Sequence, residues 1–145
     1  MIEWKKIPEF AREEFDDPLH PGSGDLIHPE LFKKILHLRR ITGWPMIPHG
    51  IVGGCVDVDG SHGHAKDSLH LQRMGCKAID FHFNTNESTR KQFYFVEGLF
   101  PGVGVYYDWH WFGYQLKIGF HVDMRPWDRM QRWTRRDGEY FYLLK

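Results

Sequence analysis

Cysteine, net charge and long apolar runs are all scarce in this chain of 145 residues. Two cysteines are too few for a disulfide framework, and the length is that of one domain, residues 1–145, with a core of its own. Lys and Arg number 19, as do Asp and Glu, so no net charge attracts nucleic acid. No apolar run approaches the roughly twenty residues of a membrane-spanning helix. Residues 1–6 lack the apolar segment of a secretory signal, which predicts a protein that is cytoplasmic as synthesised.

The elements that the sequence does contain predict an α+β fold, with helices packed on a mainly antiparallel sheet. A helix begins at Pro29, a residue favoured at the first helical position, and ends at Gly43. A second helix begins after a cap at Asn86 or Ser88 and ends at Gly98. Strands are predicted near residues 46–47, 76–83, 103–109 and 114–124. Residues 1–27 are predicted to wrap the domain, and residues 126–145 to form a C-terminal hairpin extension that turns at Asp137-Gly138.

Two of the predicted strands alternate between apolar and polar side chains. Alternation with a period of two is typical of a strand that has one face on the core. The polar faces contain Cys76, Asp80 and His82 on the earlier strand, and His121, Asp123 and Arg125 on the later one. Each strand therefore presents a candidate metal ligand on the face that points away from the core.

Together with a nearby histidine, these strands supply a set of ligands that suits zinc: His70, Asp80 and His121. Zinc binds imidazole nitrogen and carboxylate oxygen, and a catalytic zinc has three protein ligands and one position open for water. Cys76 is either a soft contact to this metal or a buried thiol. The pair His62-Gly-His64 is either a second metal site or part of a solvated loop.

Three segments resemble one protein family: Ser68-Leu-His70, Gly75-Cys-Lys-Ala78-Ile-Asp80, and His121-Val-Asp-Met-Arg125. They are similar to the zinc D-alanyl-D-alanine peptidases, a group of carboxypeptidases, dipeptidases and phage endolysins that share their fold with the hedgehog signalling domain. The resemblance covers roughly residues 28–125. It implies a hedgehog/D,D-peptidase-like fold, Zn²⁺ bound by His70, Asp80 and His121, and peptidoglycan stem peptides as substrates. It also implies phage lysis or a phage particle as a route to the cell wall.

Departures from the family pattern leave two functions open. Residues 71–74 lengthen the spacing after His70, residues 49–55 lack the Arg that would bind a substrate carboxylate, and residues 117–120 lack a carboxylate before His121. The intact ligand set favours a zinc metallopeptidase. The departures favour a catalytically inactive zinc-binding module, or a phage structural component of the same fold.

Peptide hydrolysis also requires a general base and groups that bind the substrate. Asp123 is the first candidate for the base, and it could equally orient a ligand histidine. Asp108 and His110 are held in reserve for the same role. Candidates for substrate binding are Arg125, Arg73, Ser68 and His82, of which the two arginines could instead form ion pairs.

Basic residues are concentrated near the C-terminus: Arg125, Arg129, Arg132, Arg135 and Arg136. They form either a solvated rim or a surface that attracts an anionic polymer. The expected partner is a peptidoglycan peptide, with no specific nucleic acid, and the sequence leaves the oligomeric state open.

Overall fold

The computed structural model describes residues 2–144 and has the predicted α+β fold, with two α-helices and a mostly antiparallel six-stranded sheet in that range. The helices are α1 (Pro29–Thr42) and α2 (Thr89–Glu97). The strands are β1 (Met46–Pro48), β2 (Ala78–Phe83), β3 (Gly102–Tyr106), β4 (His110–Trp111), β5 (Tyr114–Gln115), β6 (Gly119–Asp123), β7 (Gln131–Arg136) and β8 (Glu139–Leu144).

Both helices begin at residues that local chemistry favours, and α1 also ends at one. Pro29 is at the first position of α1, and Gly43 follows the helix with φ of 69°, a left-handed conformation that glycine adopts without steric cost. At the start of α2, the Ser88 hydroxyl accepts a hydrogen bond from the backbone N–H of Lys91 at 3.1 Å. The predicted positions of these helices are therefore confirmed.

The strand order in the six-stranded sheet is β1-β2-β6-β3-β7-β8, and only the β3–β7 pair is parallel. The C-terminal hairpin, β7 and β8, turns at Asp137-Gly138 as predicted, with positive φ at both residues. Strand β7 pairs with β3 along its length, so the hairpin belongs to the six-stranded sheet. Strands β4 and β5 form a separate hairpin that turns at Phe112-Gly113.

One face of the sheet forms the hydrophobic core with α1 and the N-terminal segment. Ile79, Phe81, Phe120 and Val122 are fully buried on this face, which confirms the alternation predicted for β2 and β6. The segment before α1 forms three short 3₁₀ turns and adds Phe10, Phe15 and Ile27 to the core. Among residues 2–144, no helix combines the length and apolar character needed to cross a bilayer.

On the opposite face of the sheet, two glycines of β3 make room for polar and aromatic side chains. A Cβ atom at Gly102 would overlap the Asp123 carboxylate, and one at Gly104 would lie 2.5 Å from the Trp133 ring. The Gly-Val-Gly-Val sequence of β3 therefore keeps the valines in the core, while Asp123 and Trp133 occupy the space above the glycines.

Candidate metal centre

Asp80 and His121 face each other across the β2–β6 pair. They occupy opposite positions in the antiparallel register, and His121 Nδ1 lies 2.9 Å from Asp80 Oδ1. Directly opposed residues on one face of an antiparallel pair are close enough for side-chain contact. The strand pattern in the sequence thus brings these two residues together.

His70 approaches Asp80 from the loop that connects β1 and β2. Its Nδ1 donates a hydrogen bond to the Cys55 carbonyl at 3.0 Å, and its Nε2 lies 3.3 Å from Asp80 Oδ1. The Ser68 hydroxyl accepts a hydrogen bond from the His70 backbone N–H at 3.3 Å, so Ser68 shapes the turn that presents His70. His70 and His121 therefore both contact the Asp80 carboxylate. Among residues 2–144, however, the grouping here whose ligand atoms all lie within 4.8 Å of one another is His64, His70 and Asp80, and it does not include His121.

The Asp123 carboxylate is hydrogen-bonded to His121 and Arg125. Its Oδ2 lies 2.9 Å from His121 Nε2, and Arg125 donates to both of its oxygens at 2.8 Å. The Asp123 side chain is 1% exposed and lies over Gly102. A ligand histidine typically donates its other ring N–H to such a carboxylate. Of the two roles predicted for Asp123, the geometry favours orientation of His121.

Arg125 is likewise held in place by its neighbours. Besides Asp123, it donates to Gln131 at 2.7 Å, and its guanidinium lies 5.2 Å from the centre of the Trp133 ring. Arg125 thus forms the ion pair that was predicted as the alternative to substrate binding.

The charges of the site favour ionised Asp80 and Asp123 on either side of a protonated His121. Burial alone would raise the pKa of Asp80, but the nearby His70 and His121 outweigh burial and hold that pKa well below its usual range. The pKa of Asp123 is held low despite burial, because Arg125 and His121 hydrogen-bond to its charged form. Burial opposes charge on His121, yet its bonds to Asp123 and Asp80 raise its pKa to about 9.

A fourth residue, His64, also lies at the centre, and the sequence did not predict that it would lie beside His70 and Asp80. Within residues 2–144, the ligand atoms of His64, His70 and Asp80 all lie within 4.8 Å of one another. The His64 ring stacks on the His70 ring, with centroids 4.3 Å apart and planes 10° apart. The pair His62-Gly-His64 was predicted only as a second metal site or a solvated loop, because no spacing rule places His64 against His70.

Two further groupings of residues in the same range could hold a metal: Asp17, Asp57 and His62, and Asp17, His20 and Asp59. The Asp17 carboxylate is fully buried, accepts hydrogen bonds from the backbone N–H groups of Leu19 and Val58, and lies 2.7 Å from His62 Nε2. These contacts satisfy Asp17 without an ion, and they fix the loop of His62 and His64 to the N-terminal segment.

A cavity of about 190 Å³ adjoins Asp80 and is lined by aromatic rings, glycines and histidines, among them His49, Gly54, His64, Trp109 and Trp111. His49 stacks on Trp111, and its Nε2 lies 2.7 Å from His82 Nδ1. Burial lowers the pKa of both His49 and His82 to about 4, so both rings are neutral at physiological pH. His82, predicted as a substrate-binding residue, is a buried support for His49.

The remaining candidates lie around this centre. Asp108 accepts a hydrogen bond from the Gly138 backbone N–H at 2.8 Å and faces Arg135 at 3.3 Å, which ties it to the C-terminal hairpin. Arg73 is exposed and lines a neighbouring cavity of about 310 Å³ together with Lys66 and His64. Cys76 is a buried free thiol whose pKa burial raises to about 11, and it is in none of the three metal-capable groupings.

These shifts predict a narrow pH optimum for the stability of protein stripped of metal with EDTA. The raised pKa of His121 contributes stability below pH 6.5 that is lost as pH rises through about 9, by roughly 3 kcal/mol at most. The lowered pKa values of His49 and His82 contribute stability above pH 6.5 that is lost as pH falls toward 4. Urea unfolding between pH 4.5 and 9.5 should therefore show a maximum near pH 6.5.

His121→Gln provides the control for the alkaline side of this profile. The variant should be less stable overall, but its stability should no longer fall between pH 6.5 and 9. An equally steep alkaline loss in wild type and variant would contradict the assignment to His121.

Comparisons with family models, with curated proteins and with solved structures found no match for this chain.

Proposed function

We propose that this protein is a zinc-dependent peptide hydrolase that acts on peptidoglycan stem peptides. The observation that supports this most is the convergence of His70 Nε2 and His121 Nδ1 on one carboxylate oxygen of Asp80. Each histidine is oriented through its other ring nitrogen, His70 by the Cys55 carbonyl and His121 by Asp123. Such outer partners are typical of histidines that bind metals.

The donor set fits zinc by its chemistry. Two imidazole nitrogens and one carboxylate oxygen are ligands that zinc binds, and the low pKa of Asp80 keeps its carboxylate charged at neutral pH. Zinc bound here would lower the pKa of a coordinated water and polarise a scissile carbonyl. His121 would have to release its Nδ1 proton, since that nitrogen now faces the Asp80 carboxylate.

The surroundings of the centre support a peptide as the substrate. On one side of His64, the cavity with Trp109 and Trp111 offers flat apolar surfaces against which a peptide can pack. On the other side, Lys66 and Arg73 line a cavity that could bind a substrate carboxylate. Arg73 thereby keeps its predicted role as a substitute for the arginine that is absent from residues 49–55.

A zinc-binding module without hydrolytic activity is the second candidate, and it is favoured because both carboxylates predicted as the base have other partners. Asp123 is hydrogen-bonded to His121 and Arg125. Asp108 accepts a hydrogen bond from the backbone of the C-terminal hairpin. Residues 117–120, which lack the carboxylate expected before His121, supply no base either, and Ile118 among them is buried in the core. The alternative of a phage structural component remains a variant of this second candidate.

Measuring metal content together with product release distinguishes the two candidate functions. Purified protein should contain one zinc per chain by mass spectrometry of the metal, and should release peptide fragments or D-alanine from purified peptidoglycan. His70→Ala, which removes one ligand, should lose both properties. Zinc without product release in the wild-type protein would support the binding module, and absence of zinc would exclude both.

A further inference from the structure

We propose that His64 is a fourth protein ligand of the zinc, so that the centre is closed when His64 is bound and open to water only when it is displaced. This inference rests on the proposed function, since it assumes a zinc ion at His70, Asp80 and His121. It adds to that site a ligand that excludes water from the metal. The ligand set predicted from the sequence does not include His64.

The position of His64 is that of a ligand rather than of a loop residue nearby. Its ligand atom lies within 4.8 Å of those of both His70 and Asp80. Because the His64 ring stacks on the His70 ring and ring-nitrogen lone pairs lie in the ring plane, one of the two rings would have to tilt for both to bind one ion. The His64 side chain is 20% exposed, less than most of the loop around it. His64 is therefore partly buried at the centre, while Gly63 and Ala65 on either side of it are exposed.

The orientation of the His64 ring leaves one nitrogen for the metal. His64 Nδ1 lies 2.8 Å from Asp57 Oδ2, so Nε2 is the nitrogen that remains. Asp57 is fully buried and is fixed in turn: its other carboxylate oxygen accepts a hydrogen bond from Gly60, and its backbone N–H donates to the His70 carbonyl. His64 thus has the same kind of outer partner as the other two histidines of the centre.

A fourth protein ligand changes what the centre can do. Structural zinc sites have four protein ligands, whereas catalytic sites keep one position for water. His64 also lines both cavities, the one with the tryptophans and the one with Lys66 and Arg73. Displacement of His64 would therefore open a coordination position and join the two cavities into one longer groove, as a bound peptide would require.

Cobalt substitution tests this inference independently of activity. Co²⁺ bound to the wild-type chain should give the intense visible bands of a four-coordinate centre, and added azide should leave them unchanged. In His64→Ala and His64→Gln, the bands should shift and respond to azide, and zinc affinity should fall by about tenfold or more. His37→Ala, which removes an exposed histidine of α1 that is in none of the three metal-capable groupings, should behave as wild type.

The outcomes separate this inference from the proposed function. If both His64 variants retain the wild-type cobalt spectrum, azide response and zinc affinity, the inference is overturned, although zinc bound by the wild type still supports the proposed function. If the wild type binds neither zinc nor cobalt, the proposed function fails and the inference fails with it. Increased peptidoglycan cleavage by the His64 variants would support the inference, because the centre would then be open.

Discussion

Replacing Asp80 with asparagine is expected to weaken zinc binding by more than about 100-fold, because even the outer partners of zinc ligands contribute 10- to 100-fold. Asp80 Oδ1 is the atom at which His70 and His121 meet, at 3.3 Å and 2.9 Å. Its carboxylate is the one negative charge in the proposed ligand set, and an amide would offer a neutral oxygen in its place. Competition with a fluorescent zinc chelator would measure the loss.

Asp108→Asn provides the matched control for this variant. Asp108 is also a partly buried carboxylate near the centre, but its hydrogen bond to Gly138 ties it to the C-terminal hairpin. We expect its zinc affinity to stay within about twofold of wild type, because the partners of Asp108, Gly138 and Arg135, both belong to the C-terminal hairpin and share no contact with the proposed ligands. Equal losses in both variants would mean that general negative charge, rather than coordination by Asp80, holds the metal.

Gly102→Ala is expected to destabilise the protein by roughly 2–4 kcal/mol. A Cβ atom there would overlap the Asp123 carboxylate, and the overlap is with a buried group that cannot swing into solvent. Moving Asp123 aside would break its contacts with His121 and Arg125 and leave buried charges without partners. Urea unfolding would measure the loss, and zinc affinity should fall with it, since His121 would lose its orienting partner.

The control for the glycine substitution lies at the end of α2. Gly98 has φ of −79°, a conformation open to any residue, and a Cβ atom there would meet nothing within 4 Å. Gly98→Ala should therefore be neutral, or stabilising by about 0.4–1 kcal/mol. If Gly102→Ala proved as stable as Gly98→Ala, Asp123 would not occupy the space above β3 that its proposed role requires.

Much of the candidate site could be predicted because it depends on strand geometry. Alternation along β2 and β6 places Asp80 and His121 on the polar face, and antiparallel pairing brings opposed residues into contact. The role of Asp123 was left open, since a spacing of two residues places it on the same face as His121 but does not say which atoms it contacts. The space above Gly102 and the hydrogen bonds from Arg125 fix the Asp123 carboxylate against His121, and both depend on the tertiary structure.

The sequence by itself determined the two helices, the turn at Asp137-Gly138 and the inward and outward faces of the strands. These features depend on backbone preferences and periodicity within a few neighbouring residues. The tertiary structure alone decided that β7 pairs with β3 and that His64 stacks on His70. Both contacts join residues whose proximity depends on loop closure and on packing against other elements, and no local pattern encodes these.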